Sequence, residues 1–160
     1  MIGIFKMEQS EDTILFYNQT KAYGQFSNFY PSVVEVDGTE YQTSEHYYQS
    51  QKFNLKPELK EAIINTKTPD EAAILARVEK SNRREDWDEV KDEIMYKAIK
   101  CKFEQNLELK AFLLDTENKK LIEHTKNDSY WADGGDGTGK NRLGELLMML
   151  RDEFRADINE

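Results

Sequence analysis

Hydrophobic positions fall into short extended runs near the start of the chain and into helical periods after it. Residues 13–17 form a run of β-branched, aliphatic and aromatic side chains that predicts a strand. Residues 33–36 and 39–41 flank Asp37 and Gly38, a pair that tolerates positive φ and predicts a tight two-residue hairpin. Ser44 can cap a helix running through Glu45, Tyr48, Gln49 and Lys52, and Pro57 suits the first turn of the next. Thr68, Pro69 and Glu71 combine cap, first-turn proline and capping-box carboxylate, and Asp86 to Glu89 repeats the capping pattern. Val90, Ile94, Ala98 and Cys101 then recur at helical spacing, which makes Cys101 a small core side chain. Residues 107–114 predict a shorter helix, and Leu121 and Ile122 a brief strand. The last helix carries Leu143, Leu146, Leu147, Leu150 and Phe154 on one stripe, with Arg151, Asp152 and Glu153 facing outward. This is the pattern of a helix-rich α+β domain with a small sheet or hairpin, one domain over residues 1–160 with its core at about 13–155.

Composition narrows the function classes. The 160 residues include 31 acidic and 22 basic ones, a formal charge of −9. Such a body repels polyanions at long range, which argues against sequence-blind binding to DNA or acidic membranes. Aromatic residues at 11% separate it from disordered acidic chains. A single cysteine excludes an internal disulfide framework and cysteine-based zinc clusters, and His46 and His124 lack the companions of a metal site. No apolar run approaches the ~20 residues of a membrane span, and residues 1–16 lack the apolar core of a signal peptide, so a cytoplasmic protein is expected.

Three stretches carry candidate chemistry. Residues 23–30 hold Tyr23, Gly24, Phe26, Ser27, Asn28 and Phe29 in a turn-rich segment, either a loop anchored by buried rings or the wall of a heterocycle site. Glu45, Tyr48, Gln49 and Lys52 lie at i, i+3, i+4 and i+7 and share one helix face. That face is either a surface ion pair or a carboxylate and an amine converging in a pocket. Residues 127–142 hold Trp131, Asp133, Gly134, Gly135, Gly139, Lys140, Asn141 and Arg142, with four of the chain's eight glycines between 134 and 139. A glycine-rich run entering a helix suits a phosphate, although Asn141 stands where a Walker loop needs a hydroxyl. Lys80, Arg83 and Arg84 ahead of Trp87 fit a phosphate contact or a solvated loop.

Four blocks carry a resemblance: YGQFSNFYP at 23–31, VDGTEYQTSEHYYQSQKF at 36–53, SNRREDWDEVKDEIMYKAIKCKF at 81–103 and LIEHTKNDSYWADGGDGTGKNRLGELLMMLR at 121–151. In order and spacing the chain resembles the NADAR superfamily, the YbiA-like N-glycosidases. The resemblance implies hydrolysis of a ribose–nitrogen bond in phosphoribosylated aminopyrimidine intermediates of riboflavin biosynthesis. Another branch removes ADP-ribose from guanine in DNA, and a sensor of NAD or ADP-ribose without catalysis is the third alternative. No metal or cofactor is implied, the partner is a small phosphoribosyl substrate rather than a membrane, and no oligomeric state is specified. Breaking such a bond develops positive charge on C1′ and the ring oxygen, so a carboxylate beside C1′ and a proton donor to the departing nitrogen are needed. By motif position Glu45 is the first choice for the carboxylate and Asp133 the second. Lys52 would protonate the leaving group or trap the opened sugar. Trp87, Trp131, Phe26 and Phe29 would stack on the base. Asn28, Asn141, Arg142 and the glycine loop would hold the ribose and phosphate, and Gly24, Ser27, Tyr48, Gln49, Arg84 and Lys140 complete the substrate-binding set.

Overall fold

The computed structural model describes residues 11–159. In chain order the strands and helices are β1 (Thr13–Phe16), β2 (Val34–Val36), β3 (Thr39–Tyr41), α1 (Ser44–Ser50), α2 (Pro57–Ile64), α3 (Pro69–Val78), α4 (Trp87–Gln105), α5 (Leu107–Leu114), β4 (Lys120–Glu123) and α6 (Arg142–Ile158). The α+β class holds, with the strands forming two separate pairs among the described residues. The chain divides into two units: residues up to Ser27 together with those from Glu108 onward, and Asn28–Leu107.

In the Asn28–Leu107 unit, β2 and β3 pair antiparallel across Asp37 and Gly38, whose φ values of 51° and 85° are those a tight hairpin turn requires. Val34, Val36, Tyr41 and Tyr47 form a buried cluster with Ala98 of α4, and Ile94 and Cys101 flank it half-buried. Phe53, Ile63, Ala72 and Ala76 make a second cluster around α2 and α3. Pro57 and Pro69 open α2 and α3 as expected, and Thr68 accepts the Glu71 amide at 3.1 Å.

Two caps differ from the sequence reading. Thr43, not Ser44, caps α1, accepting the His46 amide at 3.1 Å. Ser44 is freed to donate to the Asn28 side chain at 2.9 Å. Asp86 precedes α4 without a side-chain cap bond, because Arg84 takes both its carboxylate oxygens at 2.6 and 2.9 Å.

In the other unit, β1 and β4 run parallel, with Ile14 beside Leu121 and Leu15 beside Ile122. The leucine stripe of α6 is buried as its spacing requires, each such side chain contributing about 1.5–3 kcal/mol. Arg151 breaks the expectation that it faces outward. It is buried and donates to the Thr116 hydroxyl at 2.9 Å and the Lys119 carbonyl at 2.8 Å, tying α6 to the turn before β4.

Candidate active site

Every residue from Thr43 to Ser50 is buried, although six of these eight side chains are polar or charged even without the two tyrosines. Burying polar groups is favourable only when each finds a partner, so the bonds of α1 reveal which side chains are structural. His46 is a satisfied core histidine. Its Nε2 lies 3.1 Å from the Thr66 carbonyl and its Nδ1 2.8 Å from the Thr43 hydroxyl, and burial lowers its pKa. The carbonyl only accepts, so the proton sits on Nε2 and the ring stays neutral. Ser50 donates to the Tyr47 carbonyl at 2.7 Å, and the backbone tightens there into a 3₁₀ turn over Gln51–Phe53.

Glu45 and Gln49 occupy the remaining face. The Glu45 amide donates to the Asn28 carbonyl at 3.2 Å, and Asn28 also accepts from Ser44, so Asn28 positions the start of α1. Gln49 Nε2 donates to Glu45 Oε1 at 2.7 Å. A carboxylate accepts and does not donate, which fixes the amide's orientation and leaves Gln49 Oε1 buried without a partner among the described residues. A stranded acceptor of this kind costs about 1–3 kcal/mol.

Lys52 lies beyond the end of α1 and still returns to this face. Its Nζ stands 5.5 Å from the Tyr48 ring centre and 5.4 Å from that of Trp87, and the two rings meet edge-on at 5.1 Å. Burial lowers the amine from 10.5 to about 8. Glu45 opposes that shift, while Arg83, Arg77 and Lys80 add to it. The structure thus brings Glu45, Tyr48, Gln49, Lys52 and Trp87 together. Trp87 is buried beneath the lysine, which places its ring behind the amine.

Beside Lys52 opens a cavity of about 560 Å³, within the usual size of ligand sites. Lys52, Lys56, Arg83, Arg84, Glu85 and Asp86 line it. The Arg84 amide donates to the Lys52 carbonyl at 2.7 Å and so holds the 81–86 loop against the lysine turn. Reading along the chain underrates this wall. The four cations come from two segments roughly 30 residues apart, and only the fold shows that they share a cavity.

The candidates of the other unit are organised differently. Asp133 is buried, and both its oxygens are engaged. Oδ2 meets His124 Nδ1 at 2.7 Å, and Oδ1 accepts the Thr125 and Gly135 amides at 3.1 and 2.8 Å. Its role is to hold the loop and to orient His124, whose half-exposed ring sequence reasoning treated as structural. The glycine loop spends its backbone donors on itself. Gly134 donates to the Asp128 carbonyl, Gly139 to the Asp133 carbonyl and Thr138 to the Asp136 carboxylate. The Lys140, Asn141 and Arg142 amides return to Ser129, Ala132 and Tyr130. Gly139 is required by space, because a Cβ there would stand 2.5 Å from the Asp133 carbonyl carbon.

Phe26 corrects the stacking expectation. It is fully buried against Phe16 and Phe112, with ring centres at 5.5 and 5.2 Å, and has no free face for a base. Gly24 is buried where a Cβ would collide with Gln19, and Ser27, also buried, donates its amide to the Gly24 carbonyl at 3.0 Å. Asn141 stitches β4 to α6, accepting the Glu123 amide at 3.0 Å and donating to the Leu121 carbonyl at 2.9 Å. Arg142 pairs with Glu145. Trp131 meets Tyr130 edge-on at 4.9 Å, Lys140 stands 5.4 Å over that same tyrosine, and Phe29 is half-buried. Among the described residues no helix is long and apolar enough to cross a membrane.

Residues 15–155 match the NADAR domain. The chain is 49% identical to N-glycosidase YbiA of Escherichia coli (strain K12) over 148 residues, 92% of each protein. It is 40% identical to N-glycosidase Npun_R5314 of Nostoc punctiforme, covering 93% of that protein. It is also 40% identical to riboflavin biosynthesis protein VVA0006 of Vibrio vulnificus, of which the match spans 39%. The NMR structure of E. coli YbiA superposes with a TM-score of 0.87 at 45% identity, covering 98% of this chain and 92% of that one. With this fold, these blocks and this site, the chain belongs to the NADAR family.

Proposed function

We propose that this protein hydrolyses the ribose–nitrogen bond of phosphoribosylated aminopyrimidines, with Glu45 and Lys52 at the reaction centre. Hydrolysis of an N-glycosyl bond is the activity named for relatives that match nearly the whole chain, and the chain is accordingly an N-glycosidase. The riboflavin biosynthesis proteins that carry a matching region point to the aminopyrimidine class. The observation that carries the reading is the buried Glu45–Gln49 pair beside Lys52, a carboxylate and an amine held on one face.

As the bond lengthens, the Glu45 carboxylate balances positive charge at C1′ and the ring oxygen. The Lys52 ammonium donates a proton to the departing nitrogen, a role suited to an amine that titrates near 8. Water then adds at C1′, Glu45 accepts its proton, and the products are ribose phosphate and free aminopyrimidine. Gln49 holds Glu45 in place by its Nε2. Tyr48 and Trp87 shape the lysine's surroundings. Asp133 acts as a positioning residue for His124 and its loop.

The competing substrate is ADP-ribosylated guanine in DNA, and a net charge of −9 weighs against a polyanion. A two-armed assay decides: one arm holds the ribosylaminopyrimidine phosphate, the other an oligonucleotide carrying ADP-ribosylated guanine, both read by mass spectrometry. Ribose 5-phosphate and free pyrimidine from the first arm alone are expected. Free ADP-ribose from the second arm alone would overturn the substrate assignment, and silence in both would leave a sensor.

A further inference from the structure

We propose that the cavity walled by Lys56 and Arg83 beside Lys52 is the seat of the substrate's phosphate, and that Arg83 separates phosphorylated from unphosphorylated substrates; the proposal deepens the function given above and rests on it. The cavity is lined by four cations and two anions, in a protein whose overall charge is strongly negative. Asp86 and Arg84 already satisfy each other through two close hydrogen bonds, which leaves Lys52, Lys56 and Arg83 facing Glu85 alone. Arg83 is differently placed. It meets Asp88 at 3.7 Å, beyond hydrogen-bond length, and Asp88 is mostly exposed and also engages Lys91 at 3.2 Å. A loose surface pair of this kind is worth little, so Arg83 can turn to an incoming dianion at small cost. Its guanidinium presents paired donors in the geometry phosphate oxygens accept, and Lys56 supplies a point charge.

Lys52 ties the cavity to the reaction centre. It lines the cavity wall, lies over Tyr48 and Trp87, and feels the charge of Arg83 directly. A ribose whose C1′ reaches Lys52 and Glu45 extends its 5′-phosphate only a few ångströms further, and 560 Å³ accommodates that length. The glycine loop is the weaker seat. Its amides at Gly134, Gly135, Thr138 and Gly139 are already donated to the chain's own carbonyls and carboxylates, and the side chains of Asp133 and Asp136 stand where an anion would sit.

Two readouts test this. In the first, kcat/KM is measured for the ribosylaminopyrimidine 5′-phosphate and its dephosphorylated form. Arg83→Ala is expected to lower the ratio between them roughly 10- to 100-fold, the size of a lost charge-assisted bond, with partial recovery in Arg83→Lys. Lys56→Ala, at an exposed position, should lower the ratio less. In the second, inorganic phosphate is titrated into the wild type and followed by backbone amide NMR. Shifts are expected at residues 52–56 and 81–86 and should vanish in Arg83→Ala. An unchanged ratio, or phosphate shifts confined to residues 134–141, would overturn the proposal. If the wild type cleaves neither substrate, the functional reading fails, while the phosphate titration still decides the subsite.

Discussion

Raising the pH through the titration of Lys52 should switch the reaction off. Burial brings the amine from 10.5 to about 8, and the attraction of Glu45 is outweighed by desolvation together with the repulsion of Arg83, Arg77 and Lys80. A group titrating there is roughly 90% protonated at pH 7 and roughly 10% at pH 9. If the ammonium is the proton donor, kcat/KM therefore falls about tenfold across that interval, where an unperturbed lysine would lose almost nothing. The assay is kcat/KM on the ribosylaminopyrimidine phosphate in half-unit steps from pH 6 to 10, with circular dichroism confirming the fold at each step. In Glu45→Gln the falling limb should move to lower pH, because the charge that holds the proton on Lys52 is gone. A rate that rises through pH 8, with an adduct trapped on Lys52 by borohydride, would refute proton donation in favour of attack by the neutral amine. A flat profile to pH 10 would remove Lys52 from proton transfer.

The same shift affects stability. Folding disfavours the charged form of Lys52, so the penalty is complete below about pH 8 and disappears as the pH passes 10.5. At pH 7 it amounts to about 3 kcal/mol before counting the two ring contacts, each worth about 0.5–2 kcal/mol. Lys52→Met should therefore stabilise the protein by ~1–2 kcal/mol at pH 7 in urea unfolding and by nothing at pH 10.5. A destabilised variant at pH 7 would mean that the ring contacts outweigh burial.

Other substitutions test the remaining assignments. Arg151→Leu takes away the donor to the Thr116 hydroxyl, which keeps its bond to the Leu113 carbonyl, and strands the Lys119 carbonyl, and should cost about 1–3 kcal/mol in chemical denaturation; an unchanged midpoint would return Arg151 to the surface. Phe26→Ala empties a fully buried ring site and should cost about 3–5 kcal/mol, and no loss of stability would reinstate it as a wall of the base site. Asp133→Asn places an amide donor among three N–H groups and should destabilise by about 2 kcal/mol while releasing the His124 ring in imidazole NMR spectra.

Much of the fold is legible in local chemistry. Asp37–Gly38 marks the hairpin because positive φ at two successive positions leaves few residue types, and Thr68–Pro69 marks α3 for a similarly local reason. Ser44 and Asp86 mislead because each has a partner that spacing alone does not reveal: the Asn28 side chain for one, the Arg84 guanidinium for the other. Arg151 reads as outward-facing because its acceptors lie 32 and 35 residues away. The Glu45 face is visible as a helix period for Glu45, Tyr48 and Gln49, while Lys52, past the end of α1, joins it through the 3₁₀ turn that follows. The cavity wall and the self-satisfied glycine loop are not visible that way. Whether a glycine-rich run cradles a phosphate depends on where its amides point, and here they point back into the chain.

Glu45→Gln provides the most direct measurement. Rates of ribose phosphate release should be followed for the wild type and the variant side by side, with unfolding midpoints as control. The expected result is a loss of at least ~10²-fold in kcat with the midpoint within a few degrees, as for removal of a group acting in the transition state. An unchanged kcat in a folded variant would contradict the assignment of the Glu45–Lys52 face as the reaction centre.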